Sequence, residues 1–292
     1  MIPPKRSIQE PIAVWIDSVG LVGPGLPDWS TARAVLRGER DWQHEAASVT
    51  LPPILPPAER RRTSLAVRIA LAAGHQAVAD CSFDPALLAS VFTSSGGDGL
   101  TCHLICEALS QEDRRISPTH FHNSVHNAPS GYWGIAMHAA AASTSLCGLD
   151  ASFAVGLIEA MTLVRTSASP VILVAYDAPY PEPLQNCRPI PEAFGLALVL
   201  SPERTERSTL RMSMAIDAAE PTRLADEALE ALRLAAPTAR ALPLVQAIAR
   251  QQAAAVVVEY LDPVGEGMPA SHLMLILSPS DAAPEQVGGG RR

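Results

Sequence analysis

Residues 87–100 read LLASVFTSSGGDGL, and this stretch carries a clear signal for the fold class. The apolar run at 87–93 is typical of a buried strand, and the glycine turn after it leads into a helical pattern at 100–109. A strand, a short turn and a helix in this order indicate layered α/β architecture. Backbone amides of such a turn could hold a phosphate, but the common glycine spacings for that role are missing, so we interpret it as a structural turn.

The same alternation of strands and helices extends in both directions along the chain. Towards the N-terminus we predict a strand at 11–22, a helix at 29–36 capped by Asp28 or Ser30, and one long amphipathic helix at 59–79. Towards the C-terminus we predict helices at 130–138, 151–164, 224–234 and 243–252, and strands at 171–176, 193–200, 210–216, 254–261 and 272–277.

The composition excludes several classes of protein. With 292 residues, of which 48% are hydrophobic and 18% charged, the chain can bury a core without disulfide or metal staples. The net charge of -8 argues against a nucleic-acid partner, although a local basic patch is compatible with it. Lys5 is the only lysine, so lysine catalysis is discarded. No apolar run reaches the roughly 18 residues of a membrane span and no signal peptide is evident, so we expect a cytoplasmic protein.

The cysteines and histidines allow a metal-site hypothesis. The five cysteines are odd in number, which suits reduced thiols better than a disulfide framework. Zinc-ligand types are concentrated in one region, at Cys102, His103, Cys106, His120, His122 and His126. However, Cys102 and Cys106 lie four residues apart on a predicted helix, and no second closely spaced pair follows them. We therefore expect no metal and no cofactor, with core thiols and solvated histidines as the simpler interpretation.

Cys147 is the best placed candidate nucleophile. It lies at a predicted element boundary, between Ser143-Thr144-Ser145-Leu146 and Gly148. A base for its thiol would have to be His126 or His272, and only the fold could bring either one close. No G-x-S-x-G elbow is present in the sequence. A nucleophilic cysteine and an unreactive buried cysteine both remain open at this point.

Two stretches resemble a known family. Residues 121–133 read FHNSVHNAPSGYW, and residues 174–179 read VAYDAP. An Asn127-x-x-x-Gly131 motif, an S-T-x-x-C strand and a helix ending Gly156-x-x-Glu159-Ala160 occur in the order typical of β-ketoacyl synthases. The two stretches are similar to the short ketosynthase-like proteins called chain length factors, found in bacterial aryl polyene clusters. The resemblance covers about residues 12–202.

The resemblance implies a thiolase-like layered α/β fold with a complete N-terminal half and a shortened C-terminal half. We accordingly divide the chain into a ketosynthase-like portion at 1–208, a shortened α/β portion at 209–280 and a loose tail at 281–292. In condensing members the nucleophilic cysteine lies at the N-terminus of a buried helix, where the helix dipole lowers the pKa of its thiol. Two histidines from the C-terminal half assist decarboxylation there.

Family spacing places the nucleophile slot at residues that are not cysteine. Counting forward from the Asn127 motif gives Asp150, and counting back from the strand at 171–175 gives Ala151. Cys147 lies three or four residues too early. The H-G-T pattern and the active-site lysine of the family have no counterpart, and His272 is the only histidine beyond His138. The resemblance therefore implies that the condensing chemistry has been lost.

The implied function is that of a largely non-catalytic chain length factor. Such a subunit pairs with an active β-ketoacyl synthase, which extends acyl chains on an acyl carrier protein in aryl polyene, fatty-acid-like or polyketide biosynthesis. Because the acyl tunnel of one subunit runs against its partner, bulky side chains of an inactive partner can limit chain length. We expect this tunnel wall and interface to include His122, His126, Asn127, Tyr132 and Trp133. The alternative is an acyltransferase or reduced ketosynthase that uses Cys147.

Overall fold

The structure is a computed structural model that describes residues 11–261 and 270–279. Its strands are β1 (Ala13–Val22), β2 (Ala89–Thr93), β3 (Ser143–Leu146), β4 (Val171–Asp177), β5 (Phe194–Ser201), β6 (Leu210–Asp217), β7 (Ala254–Leu261) and β8 (Ser271–Pro279). Its α-helices are α1 (Trp29–Arg37), α2 (Pro57–Arg62), α3 (Leu65–Ala79), α4 (Gly99–Ser110), α5 (Pro118–Asn123), α6 (Ala128–Met137), α7 (Ser152–Ser167), α8 (Leu184–Cys187), α9 (Glu227–Ala235) and α10 (Leu242–Arg250). Short 3-10 turns lie at Pro85–Leu87, Leu149–Ala151 and Thr238–Ala241.

The eight strands form one mixed sheet in the order β3-β2-β4-β5-β1-β6-β8-β7. Strand β2, next to the edge strand β3, runs parallel to β3 and β4, and the other neighbouring strands are antiparallel. Every residue of β4 and β5 is buried, as expected for strands covered on both faces. This is the layered α/β fold that the sequence predicts.

Helix α7 lies at the centre of the molecule. It contacts β2 and β4 near one end of the sheet and β7 at the other, so the sheet curves around the helix. The buried side chains of α7 belong to a core that also contains residues of α1, α9 and α10. A second core on the opposite sheet face is formed mainly by α3 and α6. Helix α7 is thus packed on several sides by strands and helices.

Most predicted elements are confirmed within a few residues of their ends, and Asp28 is the cap of α1, since its carboxylate accepts from the Thr31 amide at 2.8 Å. The single long helix predicted at 59–79 is wrong. Ser64 separates α2 from α3 because its backbone is extended (φ -74, ψ 170) and its side chain accepts from the Val67 amide at 3.4 Å. This N-cap geometry begins a new helix.

Not every element and boundary of the structure is predicted from the sequence. The helix α5 lies in a polar stretch for which no element is predicted. The division at residue 208 falls in the connection between β5 and β6 and stays a prediction, while the tail at 281–292 lies outside the described residues. Within the described ranges, no helix combines the length and apolarity needed to span a membrane.

Helix α3 approaches the sheet closely at glycine positions. A Cβ atom on Gly20 of β1 would lie 2.0 Å from the carbonyl oxygen of Ala73, and one on Gly195 of β5 would lie 2.7 Å from a methyl group of Ile69. The contact at Gly20 involves backbone that cannot rotate away. Glycine at this position therefore sets the distance between α3 and the sheet.

We expect Gly20→Ala to lower the free energy of unfolding by about 1–3 kcal/mol, because the added methyl group overpacks the contact with α3. Gly131→Ala is the matched control, since a Cβ atom there meets nothing within 4 Å. This helical substitution should raise stability by roughly 0.5–1 kcal/mol. Urea unfolding followed by circular dichroism measures both values, and equal stabilities of the two variants would contradict the packing argument.

Candidate functional site

The connection between β3 and α7 contains the predicted nucleophile slot. Cys147 follows the last residue of β3, and Asp150 and Ala151 stand immediately before Ser152, the first residue of α7. The Ser152 hydroxyl donates to the Leu149 carbonyl at 2.7 Å and accepts from the Gly148 amide at 3.0 Å. Leu149 has a φ of 52, a left-handed conformation that is uncommon for leucine. The turn is therefore closed and conformationally demanding, and it presents a carboxylate at the helix entrance.

Two arginines from distant parts of the chain hold the Asp150 carboxylate. Arg188 approaches it at 2.5 Å and Arg240 at 3.6 Å. Arg240 also lies 3.7 Å from Glu259, so the ion pairs continue into β7. Sequence reasoning missed both arginines, because no local signal links them to Asp150. The slot thus holds an ion-paired carboxylate and no thiol.

The inner end of this charge network is buried. Arg233 is only 3% exposed and binds Glu230 through two hydrogen bonds of 2.8 and 2.9 Å, while its third contact is with Glu259. The hydrogen bonds from Arg233 lower the pKa of Glu230. Buried charges are tolerated only when they are paired in this way. The network therefore holds α9 and β7 together beside the entrance to α7.

Cys147 and its two possible bases do not form a catalytic pair in the structure. The Cys147 thiol is exposed and donates to the Ser95 carbonyl at 3.0 Å. The Nε2 atom of His126 lies 2.8 Å from the Leu146 carbonyl oxygen, so His126 lies next to the end of β3 but donates this proton to backbone. His272 lies on β8, where its Nδ1 atom faces the Tyr260 amide at 3.4 Å. No hydrogen bond joins either imidazole to the thiol in the described part of the chain.

Asp177, within the VAYDAP stretch, anchors the surroundings of the slot. Its buried carboxylate accepts from the Ser95 amide at 2.9 Å, from the Thr238 amide at 2.8 Å and from the Thr238 hydroxyl at 2.7 Å. Burial raises the pKa of Asp177, and these hydrogen bonds oppose that shift. The carboxylate thereby ties β4 to the turn after β2 and to the 3-10 turn that carries Arg240.

The glycine turn after β2 is a structural turn, as the sequence predicts. The Ser95 amide is bound to Asp177, and the Gly97 amide donates to the Ser94 hydroxyl at 2.9 Å. A Cβ atom on Gly96 would lie 2.2 Å from the Tyr180 hydroxyl oxygen, so the turn is packed against neighbouring chain. These two amides have internal partners and are not available to a phosphate.

The five predicted wall residues occupy two different environments. His122, Asn127 and Tyr132 line an open groove of about 520 Å³ beside α5 and α6, and the His122 and Tyr132 rings meet edge-on at 5.6 Å. Tyr132 and Trp133 both belong to the core and are each 1% exposed, and the Trp133 ring, which does not line the groove, packs against Phe92. His126 does not line this groove either.

The groove belongs to a larger apolar surface that sequence reasoning missed. Phe121, Val125 and Ile135 line the groove and are 67%, 51% and 44% exposed. The neighbouring helix α4 is apolar, yet its Leu100 and Leu109 are exposed, and α5 is its main contact. Strand β3 is at the edge of the sheet next to this surface, with α6 packed against it. Large contiguous apolar surfaces of this kind mark protein interaction sites or ligand grooves.

The metal-site hypothesis finds no geometric support. Cys102 and Cys106 are exposed on α4, and His103 lies 3.4 Å from Glu107. No cluster of three or more metal-ligating side chains occurs within residues 11–261 and 270–279. Desolvation raises the pKa of Cys102 above its ordinary value, which favours the neutral thiol over the thiolate that binds metals.

Comparison with known proteins identifies the family. The model of the β-ketoacyl synthase N-terminal domain matches residues 29–260, which is well over half of the chain. The chain belongs to the β-ketoacyl synthase family. No curated protein matches the sequence.

Solved structures show the same fold at low sequence identity. The ketosynthase (ApeO) in complex with its chain length factor (ApeC) from Xenorhabdus doucetiae is similar with a TM-score of 0.66 and 22% identity, over 90% of this chain and 99% of the matched chain. The ishigamide ketosynthase/chain length factor has a TM-score of 0.66 and 14% identity, over 91% and 99%. A type II polyketide acyl carrier protein with its ketosynthase, AntDE:AntF, has a TM-score of 0.65 and 11% identity, over 92% and 99%. The thiolase-like fold expected for this ketosynthase family member is confirmed.

We expect the inner and outer parts of the charge network to differ strongly in their contribution to stability. Arg233→Met should lower the free energy of unfolding by about 3 kcal/mol, because it removes a buried cation from Glu230 and Glu259, whose side chains are 18% and 15% exposed. Asp150→Asn should lower it by no more than about 1 kcal/mol, because this carboxylate is half exposed and screened by water. Chemical denaturation of both variants measures the difference, and similar losses would contradict this account of the network.

Proposed function

We propose that this protein is a largely non-catalytic ketosynthase-like subunit, a chain length factor that pairs with an active β-ketoacyl-ACP synthase. The observation that carries the proposal is the Asp150 carboxylate held by Arg188 and Arg240 at the entrance of α7. A condensing enzyme needs a nucleophilic thiolate at this point with a base in reach. Here the position has a carboxylate, and two cations neutralise it.

The apolar surface around α4, α5 and the groove supports a protein partner. An edge strand and exposed apolar helices are costly to leave in water, and a subunit of similar fold covers both at once. Two of the similar solved structures are described as a ketosynthase with its chain length factor. We infer that β3 and the groove face the ketosynthase partner.

In this arrangement the groove contributes to the end of the acyl tunnel. His122, Asn127 and Tyr132 line it, and Phe121 adds bulk at its rim. A chain growing on an acyl carrier protein in the partner would stop where these side chains fill the space. The products would be aryl polyene, polyketide or fatty-acid-like chains, made in the cytoplasm. Trp133 supports the wall from the core and is not part of the lining.

One observation favours a second function. The Cys147 thiol is exposed at the end of β3, and the His126 ring lies against the adjacent residue. A small movement of this ring would give the thiol a base. In that case the chain would be an acyltransferase or a reduced ketosynthase in its own right.

We expect no acyl adduct on Cys147 when the purified chain is incubated with an acyl thioester, because no base holds its thiol as thiolate. Intact-mass spectrometry after incubation with the thioester, or with a ketosynthase-directed thiol inhibitor, makes the measurement. Cys147→Ser is the control, since exposed Cys102, Cys106 and Cys187 can react without catalysis. A stoichiometric adduct that is present in the wild type and lost in Cys147→Ser would instead establish the enzyme.

We expect Val125→Arg to abolish co-purification with a co-expressed candidate ketosynthase that binds the wild-type chain, because a buried unpaired charge at the interface is expensive. The wild-type pair should bury more than about 2,000 Å² and elute as one complex. Leu234→Arg is the matched control, since Leu234 is similarly exposed but lies on α9, away from the groove. Retention of the complex by Val125→Arg would place the partner elsewhere.

A further inference from the structure

A second, larger groove lies between the irregular segment at 49–57 and the helices α2 and α3. Its volume is about 760 Å³, and its walls are of two kinds. One wall is apolar and includes the buried side chains of Leu51 and Leu55. The other wall carries three arginines, Arg60, Arg61 and Arg68. The groove is distinct from the acyl-tunnel groove described above, with which it shares no lining residue.

The charge of this groove contrasts with that of the whole protein. The chain has a net charge of -8, yet no acidic residue lines the groove. Within the described residues, no carboxylate lies within ion-pair distance of Arg60, Arg61 or Arg68. Three like charges around one cavity repel each other, and a bound anion would relieve that repulsion. The C-terminus of a helix attracts basic residues through the helix dipole. This does not explain the cluster, because Arg60 and Arg61 are on α2 whereas Arg68 is on α3.

Two of the arginines are held in place by backbone. Arg60 donates to the Leu51 carbonyl at 3.3 Å, and Arg68 donates to the Val49 carbonyl at 3.1 Å. A guanidinium group has five N–H donors, so each keeps several for a ligand. Thr63 lies between the two helices and also lines the groove. Fixed guanidinium groups suit the bidentate recognition of phosphate oxygens.

We propose that this groove binds a phosphate ester with an apolar portion. The phosphate would lie among Arg60, Arg61 and Arg68. The apolar portion would lie along Val49 and Pro53, which line the groove and are less buried than the two leucines of the apolar wall. The same chemistry is offered by a soluble phosphate ester and by the headgroup of an anionic lipid. The inference concerns the isolated chain and does not depend on pairing with a ketosynthase.

The test is a calorimetric titration of the full chain with hexyl phosphate and with inorganic phosphate. We expect hexyl phosphate to bind at least about tenfold more tightly, because its alkyl chain buries apolar surface. Binding should weaken as sodium chloride is raised, because salt screens the arginines. The proposal would be overturned if hexyl phosphate did not bind. It would also be overturned if the groove bound an acidic protein but no hexyl phosphate.

The neighbouring residues Arg61 and Arg62 provide a matched pair of variants. Arg61 lines the groove and its side chain has no hydrogen bond in the described part of the chain, so Arg61→Gln should fold normally and weaken hexyl phosphate binding about tenfold through loss of a charged contact. Arg62 pairs with Glu59 at 3.2 Å and does not line the groove, so Arg62→Gln should leave binding unchanged. Equal affinities of the two variants would overturn the assignment of the site.

Vesicles distinguish the two sources of the phosphate. A lipid headgroup is identified if the protein sediments with phosphatidylglycerol vesicles but not with phosphatidylcholine vesicles. This sedimentation should be reduced by Arg61→Gln and unaffected by Arg62→Gln. Hexyl phosphate binding without sedimentation identifies a soluble ester. Both results support the common chemistry, whereas sedimentation that is equal for both variants contradicts it.

Discussion

The buried carboxylate of Asp177 is the interaction on which the arrangement around the slot depends. A carboxylate removed from water is unfavourable unless donors replace its hydration, and Ser95 and Thr238 supply three. These donors come from the turn after β2 and from the 3-10 turn at Thr238–Ala241. Asp177 therefore fixes the segment that carries Arg240, and through it the carboxylate of Asp150. Asp177, which belongs to the VAYDAP stretch, thus has a structural role here.

The charge network shows how the entrance of α7 is held together with a carboxylate at position 150. In this chain the residues that face the entrance of α7 form alternating ion pairs from Arg188 to Glu230. Each charged group of the network has a partner of opposite charge, but among the described residues the Nε atom of Arg240 and the Oε2 atom of Glu259 are buried without a hydrogen bond. The network also joins α7 to β7 and α9, which come from the C-terminal part of the chain. The position thus contributes to holding the two parts of the fold together.

The sequence predicts the elements well where periodicity is long, as in α7 and β4, because burial on one face or both leaves a regular apolar pattern. It fails at Ser64, where a capping serine interrupts an apolar pattern that looks continuous. It also fails for Arg188 and Arg240, because the topology alone brings them to Asp150. Trp133 was expected at a surface, but its large ring fills the core beside Phe92. Tyr132 is equally buried, and only the packing of α6 shows that it, and not Trp133, also borders the groove.

The exposed apolar surface near β3 is the feature that bears most directly on a partner subunit. Phe121, Val125 and Ile135 are exposed near the edge strand β3, and apolar surface beside an open sheet edge promotes aggregation unless it is covered. Their exposure makes physical sense when another subunit removes them from water. The ion-paired carboxylate and the exposed surface are therefore complementary under the proposed function: the first leaves no thiol at the predicted slot, and the second offers apolar area to a partner subunit.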